Sequence, residues 1–195
     1  MHDAFRPALA AFLTTVLTFG ITGSARAQEP CAQSDLRPVA AEIGAYEAAV
    51  VCLINHERVM RDRARLDVRP RLTAAAERHA RDMVQRGYFS HVSPAGNDMV
   101  DRLRRVGYLP RDGAWTAGEI LSWGVLWRST PEATVAAWLD SPPHRAAMLD
   151  PRFTEIGAGA ALGNPRGLAA PGVTVAVEFG DVEGRGAERY AAPPR

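Results

Sequence analysis

Lysine is absent from this chain of 195 residues, so all 23 basic residues are arginine. They are matched by 22 Asp and Glu, which leaves a formal net charge of +1 and no global field that would attract nucleic acid or an anionic membrane. The densest basic stretch, residues 63–71, lacks interleaved aromatic side chains on which bases could stack. The arginines alternate with acids, which favours a general coding bias over dedicated anion recognition. These features argue against nucleic-acid binding.

Cysteine is also scarce, with only Cys31 and Cys52 present and no C-x-x-C motif. Two cysteines alone do not make a redox or zinc motif. In an exported protein they are predicted to form a disulfide, which would close a loop of about 20 residues and contribute roughly 3 kcal/mol. The alternative is two free thiols, with Cys52 as a small buried apolar residue of the first helix.

No apolar run reaches the roughly 20 residues of a membrane-spanning helix. Residues 8–23 are apolar or weakly polar, follow Arg6 and precede Ala25-Arg26-Ala27. This order is typical of a cleaved signal peptide over residues 1–27, rather than of an uncleaved anchor. The protein is therefore predicted to be exported, either periplasmic or secreted, with no membrane span in its mature form.

Helical periodicity dominates the first two thirds of the chain. Apolar residues spaced three and four apart predict a helix over residues 42–63, followed by a loop over residues 67–71. A second helix is predicted from Thr73 to a stop at Gly87. A later helix is predicted to begin at Thr130, whose hydroxyl can cap the first turn ahead of a proline.

A short helix is predicted between these, over residues 98–106. It carries two acid-before-base pairs at i,i+4 spacing, Asp98–Arg102 and Asp101–Arg105. Such pairs stabilise a helix by a few tenths of a kcal/mol each.

Strand signals follow the helices. Residues 155–160 are small and glycine-rich, and residues 173–180 alternate valine with other side chains at a period of two. Helices first and antiparallel strands later predict an α+β domain. The last residues have little apolar content and predict a flexible tail over residues 182–195.

Three residues are candidates for a polar site: His91, Glu119 and His144. Both histidines are predicted in loops beside helix ends, and Glu119 opens an otherwise apolar segment. Two imidazoles and a carboxylate could bind a divalent metal such as zinc, act as an acid–base pair, or form a recognition cavity. Of the other histidines, His79 is predicted to be a hydrogen-bonded core residue and His56 a solvated one.

Several short motifs follow one another in a distinctive order along the chain. They are Leu53-Ile54-Asn55-His56-Glu57-Arg58, His79-Ala80-Arg81-Asp82-Met83, Tyr88-Phe89-Ser90-His91, Gly118-Glu119, Trp138-Leu139-Asp140-Ser141-Pro142-Pro143-His144-Arg145, Ile156-Gly157-Ala158-Gly159 and Phe179-Gly180. Their order and spacing resemble the CAP superfamily (cysteine-rich secretory proteins, antigen 5 and pathogenesis-related proteins), in its bacterial SCP-like extracellular type. The resemblance extends over residues 46–181, after an N-terminal extension at residues 28–45.

The resemblance implies a three-layer α-β-α sandwich with a central antiparallel sheet. It also implies a cavity lined by two histidines and up to two acids, which map to His91, His144 and Glu119. The second acid would fall three residues after Trp138, where this chain has Ser141. The implied set is therefore reduced to three residues.

Three functions fit these residues. The favoured one is a monomeric binding module whose cavity takes a small apolar, lipid or cell-envelope ligand, with a divalent metal such as zinc as candidate cofactor. The second is a hydrolase that would pair Ser93 or Ser141 with a histidine, although neither serine lies in a G-x-S-x-G turn. The third is a structural envelope domain without a ligand.

Overall fold

The fold is described by a computed structural model that covers residues 31–183. Five α-helices and four strands are present in this range: α1 (Ile43–Val59), β1 (Asp67–Val68), α2 (Pro70–Arg86), α3 (Met99–Arg105), β2 (Trp115–Val125), α4 (Pro131–Asp140), α5 (Pro142–Met148), β3 (Glu155–Leu162) and β4 (Gly172–Val182). Two short 3-10 helices, Ala40–Glu42 and Leu126–Ser129, precede α1 and α4. The predicted signal peptide and nearly all of the predicted tail lie outside the described residues.

Local signals set the ends of several helices as predicted. The Thr130 hydroxyl accepts a hydrogen bond from the backbone N–H of Ala133 and so caps α4. Gly87 ends α2 with a left-handed φ of 66°. At α1 the prediction ran four residues too far, because Asp62 turns the chain back with a positive φ of 56°.

The four strands form one sheet in the order β1-β3-β4-β2. β4 pairs antiparallel with both β2 and β3, and only the two-residue β1 is parallel to its neighbour. The order places β2 at one edge and pairs Glu119 directly with Glu178 of β4.

Helices cover both faces of the sheet. One face buries Ile156, Val175 and Phe179 in a cluster with Tyr46 of α1 and Trp138 of α4. The opposite face packs against α2 and α3. The α+β fold with a three-layer arrangement is thereby confirmed.

The approach of α2 to the sheet depends on glycine. A Cβ added at Gly159 would lie 2.0 Å from the backbone N of Glu77, and one at Gly157 would lie 2.1 Å from the backbone N of Thr73. The small residues of β3 therefore let helix backbone rest directly on strand backbone.

Three local predictions need correction. The loop expected over residues 67–71 contains β1. Pro70 is the first residue of α2, a position at which the backbone N–H that proline lacks would have no partner within the helix. β2, which contains Glu119, was not predicted as a strand. The acids of α3 do not pair with its arginines: Asp98 and Asp101 form a reciprocal capping box at the helix start instead.

The predicted disulfide between Cys31 and Cys52 is present, with a Cα–Cα distance of 5.7 Å. It ties the segment that precedes α1 to the middle of that helix. Among residues 31–183, no helix has both the length and the apolar character needed to cross a membrane.

Candidate functional site

The site is centred on Glu119, whose side chain is only 2% exposed although it carries a carboxyl group. Its Oε1 lies 2.6 Å from Nδ1 of His91, which belongs to the loop between α2 and α3. This contact raises the pKa of His91. The predicted pair of His91 and Glu119 is therefore brought together, with the imidazole exposed and the carboxylate beneath it.

Arg102 of α3 holds the other oxygen of the same carboxylate. Its guanidinium donates to Oε2 of Glu119 and, through a second nitrogen, to the backbone carbonyl of His91 at 3.0 Å. Burial alone would raise the pKa of Glu119, but the His91 hydrogen bond and the Arg102 charge keep it below its usual range. Arg102 thus fixes both the acid and the loop that carries the histidine.

A second buried acid, Glu178 of β4, lies beside Glu119 in the strand register. Its side chain is fully buried beside the Glu119 carboxylate, which can accept a hydrogen bond from a protonated Glu178. Burial and the nearby negative charge of Glu119 raise the pKa of Glu178 well above its usual range. The surroundings therefore favour the neutral form of Glu178 and the charged form of Glu119, which Arg102 neutralises.

His79 of α2 completes the buried part of the site. It is 1% exposed, and its Nε2 lies 3.1 Å from the carbonyl oxygen of Ser90 and 3.8 Å from Oε2 of Glu119. Burial lowers the pKa of His79, which favours the neutral ring. It is the hydrogen-bonded core residue that its apolar helix face predicted, but it also supports the loop before His91.

His144 is placed differently from the prediction, because it lies within α5 rather than in a loop. The proline pair before it starts that helix at Ser141, the position of the missing second acid. Burial and the positive charge of His91 lower the pKa of His144.

An open cavity of about 310 Å³ adjoins this cluster. His91, Asp98 and Glu119 supply its polar wall, and Val92, Met99 and Val100 supply apolar surface. His144 is not one of the residues that line it. The cavity lies at the start of α3, next to the loop that Arg102 fixes.

The suitability of the predicted metal ligands depends on what each is already bonded to. Both oxygens of Glu119 are occupied, one by His91 and the other by Arg102. Within residues 31–183, no three His, Cys, Asp or Glu side chains are grouped as a metal site. Nδ1 of His91 is held by the Glu119 carboxylate, which is how metal-bound histidines are commonly oriented.

Three contributors were not predicted as site residues: Arg102, Glu178 and His79. Glu178 had a partial signal, since the residues that precede it in the predicted strand, 172–177, are all apolar or small. Arg102 had none, because its spacing from Asp98 indicated a surface ion pair.

The sequence as a whole matches a known family. The cysteine-rich secretory protein (CAP) family matches residues 51–177, and the chain belongs to this family. The resemblance noted from the motifs is thereby confirmed.

Two curated relatives come from Bacillus subtilis strain 168. The uncharacterized protein YkwD is 36% identical over 117 residues, which are 60% of this chain and 43% of the relative. The uncharacterized membrane protein YlbC is 32% identical over 113 residues, covering 58% of this chain and 31% of the relative. The chain therefore spans less than half the length of these curated relatives.

Solved structures share the fold. An extracellular protein containing an SCP domain from Bacillus anthracis strain Ames superposes with a TM-score of 0.57 at 23% identity, covering 73% of this chain and 43% of that one. An outer surface protein from Borrelia burgdorferi gives a TM-score of 0.55 at 20% identity, covering 69% of this chain and 90% of that one. At such identities the likeness supports the fold alone.

Proposed function

We propose that this protein is an exported binding module that takes a small apolar or cell-envelope ligand beside His91. In this proposal a divalent cation such as zinc is held by His91 and His144. The observation that carries it is the buried Glu119 carboxylate, bonded to Nδ1 of an exposed imidazole.

Burying a carboxylate is costly unless it is paired, and here Arg102 and His91 both pair with it. The arrangement fixes the tautomer and the orientation of the His91 ring, leaving Nε2 as the nitrogen that can bind a cation. Glu119 acts in this proposal as the residue that orients a ligand, and is not itself a ligand.

The electrostatics of His144 also support a cation, whereas the raised pKa of His91 means that a cation bound there must displace a proton. Burial and the charge of His91 lower the pKa of His144. A shared divalent ion would replace protons on both rings, and neutral imidazoles are the form that binds metals. Two protein nitrogens leave further coordination positions for water or for a ligand group.

The adjoining cavity supports an apolar ligand. Val92 is 47% exposed, and Met99 and Val100 are half-buried next to the imidazole. Apolar walls with one or two fixed polar groups are typical of small-molecule sites. The Cys31–Cys52 disulfide suits an oxidising compartment, which supports export.

The hydrolase alternative gains no support from Ser93, one of the two serines that could serve as its nucleophile. The Ser93 hydroxyl accepts the backbone N–H of Asn97 at 3.1 Å and so closes the turn before α3. We therefore retain binding as the proposed activity.

Zinc titration of the metal-free full chain, followed by calorimetry and thermal melting, tests the cation. We expect a stabilisation of RT ln(1 + [Zn]/Kd), about 2.7 kcal/mol at a hundredfold excess over Kd. His91→Ala and His144→Ala should each abolish it, and Glu119→Gln should weaken zinc binding by roughly 10–100-fold.

His56→Ala serves as the matched control, since His56 lies on α1 away from the cluster and should leave the zinc response unchanged. An unchanged response in both cluster variants would refute the site.

For the apolar ligand, native mass spectrometry of protein isolated from its exported fraction should detect an adduct. Met99→Asp, which charges the cavity wall but suits a first helical turn, should remove that adduct.

A further inference from the structure

A second cavity, of about 210 Å³, lies between α2 and α3 and is separate from the one beside His91. Its two helical walls carry arginines: Arg78 and Arg86 come from α2, and Arg102 and Arg105 come from α3. Asp82 is the one acidic residue that lines it. We call this cavity the arginine cleft.

The charges of the arginine cleft do not cancel. Asp82 lies 3.7 Å from the guanidinium of Arg86. Arg102 is paired with Glu119, which does not line the cleft. The Arg105 guanidinium donates to the neutral side-chain oxygen of Asn97 at 2.9 Å. Within residues 31–183 neither Arg78 nor Arg105 has a carboxylate partner. Two uncompensated guanidiniums thus face one cavity from opposite helices.

The buried wall of the cleft also has an unused donor. Arg102 is 7% exposed, and its Nε has no hydrogen-bond partner among the described residues. Buried donors in native proteins are nearly always bonded to protein, water or a ligand. Oε1 of Glu178 lies 3.9 Å from this nitrogen, beyond hydrogen-bond distance.

Polar neighbours add to the basic walls. Ser93 and Asn97 line the same cavity from the loop before α3. The ring of His79 also lines it, and burial lowers the pKa of this histidine. The cleft therefore offers hydrogen bonding together with positive charge, which is a combination that suits an anion.

We propose that the arginine cleft binds a small oxyanion, a phosphoryl or carboxylate group, clamped between Arg78 and Arg105. Guanidinium groups recognise both kinds of group through paired, charge-assisted hydrogen bonds. The volume is below the roughly 300 Å³ at which pockets for drug-sized ligands begin, so a small anion fits better than a lipid. This proposal does not depend on the proposed metal or apolar ligand.

The test is calorimetric titration of the metal-free full chain with inorganic phosphate and, in a second arm, with malonate. Both are compared with sodium chloride at equal ionic strength, because non-specific charge effects are screened by any salt. We expect saturable binding with one site in at least one arm, and the stronger arm identifies the preferred anion. Arg78→Gln and Arg105→Gln should each weaken it by about tenfold or more.

Arg104→Gln is the matched control, because Arg104 neighbours Arg105 on α3, is exposed, and does not line the cleft. Arg78 and Arg105 are exposed as well, so all three variants should fold, which melting in chloride will verify. Absence of saturable binding in both arms would overturn the proposal, as would an equal loss in Arg104→Gln. His91→Ala should leave anion binding unchanged, which separates this outcome from failure of the metal site.

Discussion

The replacement Arg102→Met gives the most direct test of how the site is held together. Arg102 is 7% exposed and bonds to Glu119 and to the carbonyl oxygens of His91 and Asn97. Methionine fills part of the same space without charge, so the variant removes the interactions while retaining much of the packing. Glu119 is then left buried beside His91 and His79, without the permanent positive charge that balanced it.

The expected loss of stability is large. Removing one partner of a buried ion pair typically costs about 3–5 kcal/mol, because the remaining charge is stranded. The two carbonyl acceptors add to this, although water that enters the loop will replace part of their bonding. We therefore expect a loss of about 4 kcal/mol, which corresponds to a fall in Tm of roughly 8–16 °C for a domain of this size.

Urea unfolding followed by circular dichroism at pH 7.5 measures the change, with Arg104→Met as the exposed control on the same helix. The control should lie within about 0.5 kcal/mol of the parent chain. The double variant Arg102→Met/Glu119→Gln should recover at least about 1 kcal/mol relative to additivity, since no charge remains stranded. A loss below about 1 kcal/mol for Arg102→Met would refute the assignment of Arg102 as the residue that neutralises Glu119.

Two further predictions concern stability away from the site. Replacing Cys31 and Cys52 together by serine should lower the free energy of unfolding by about 3 kcal/mol, measured by urea titration, because the loop constraint on the unfolded chain is lost. Burial, aided by Glu77 and opposed by Arg81, raises the pKa of Glu47 to about 7. Its protonated form therefore favours the folded state, and stability should fall as pH rises from about 4.5 to about 7. Glu47→Gln should remove this dependence and stabilise the protein at pH 8 by about 1 kcal/mol after allowance for solvent screening, and thermal melts that depend on pH as before would contradict it.

The sequence predicted the parts of the fold that local patterns determine. Thr130 caps a helix, Gly87 ends one, and alternating valines from Val173 onward form a strand, because each signal acts over a few residues. The strand that carries Glu119 was missed since it mixes small, polar and aromatic residues without a clear period. Its strand character depends on pairing along its whole length with β4, which is a long-range contact.

For the site as well, short sequence motifs identified some residues, whereas contacts between distant segments could not be predicted. His91 and Glu119 were found through motifs, but spacing could not reveal that Arg102 would leave its own helix surface to bond with Glu119. Asp98, the partner predicted for Arg102, is used by the helix start. Capping satisfies backbone groups that would otherwise lack partners, so the local acid is committed and the arginine is free for the buried one.

Glycines of β3, which carry no functional side chain, set the geometry of this site. The backbone of α2 contacts β3 at Gly157 and Gly159, where an added Cβ would lie 2.1 Å and 2.0 Å from backbone atoms of α2. A side chain at either glycine must displace the helix, because backbone atoms cannot rotate away. His79 lies two residues beyond Glu77 on that helix, and its ring bonds to the Ser90 carbonyl next to His91. Displacing α2 by even an ångström would break this hydrogen bond and loosen the loop that positions His91 over Glu119, so the glycines of β3 determine the site as firmly as the charged residues that form it.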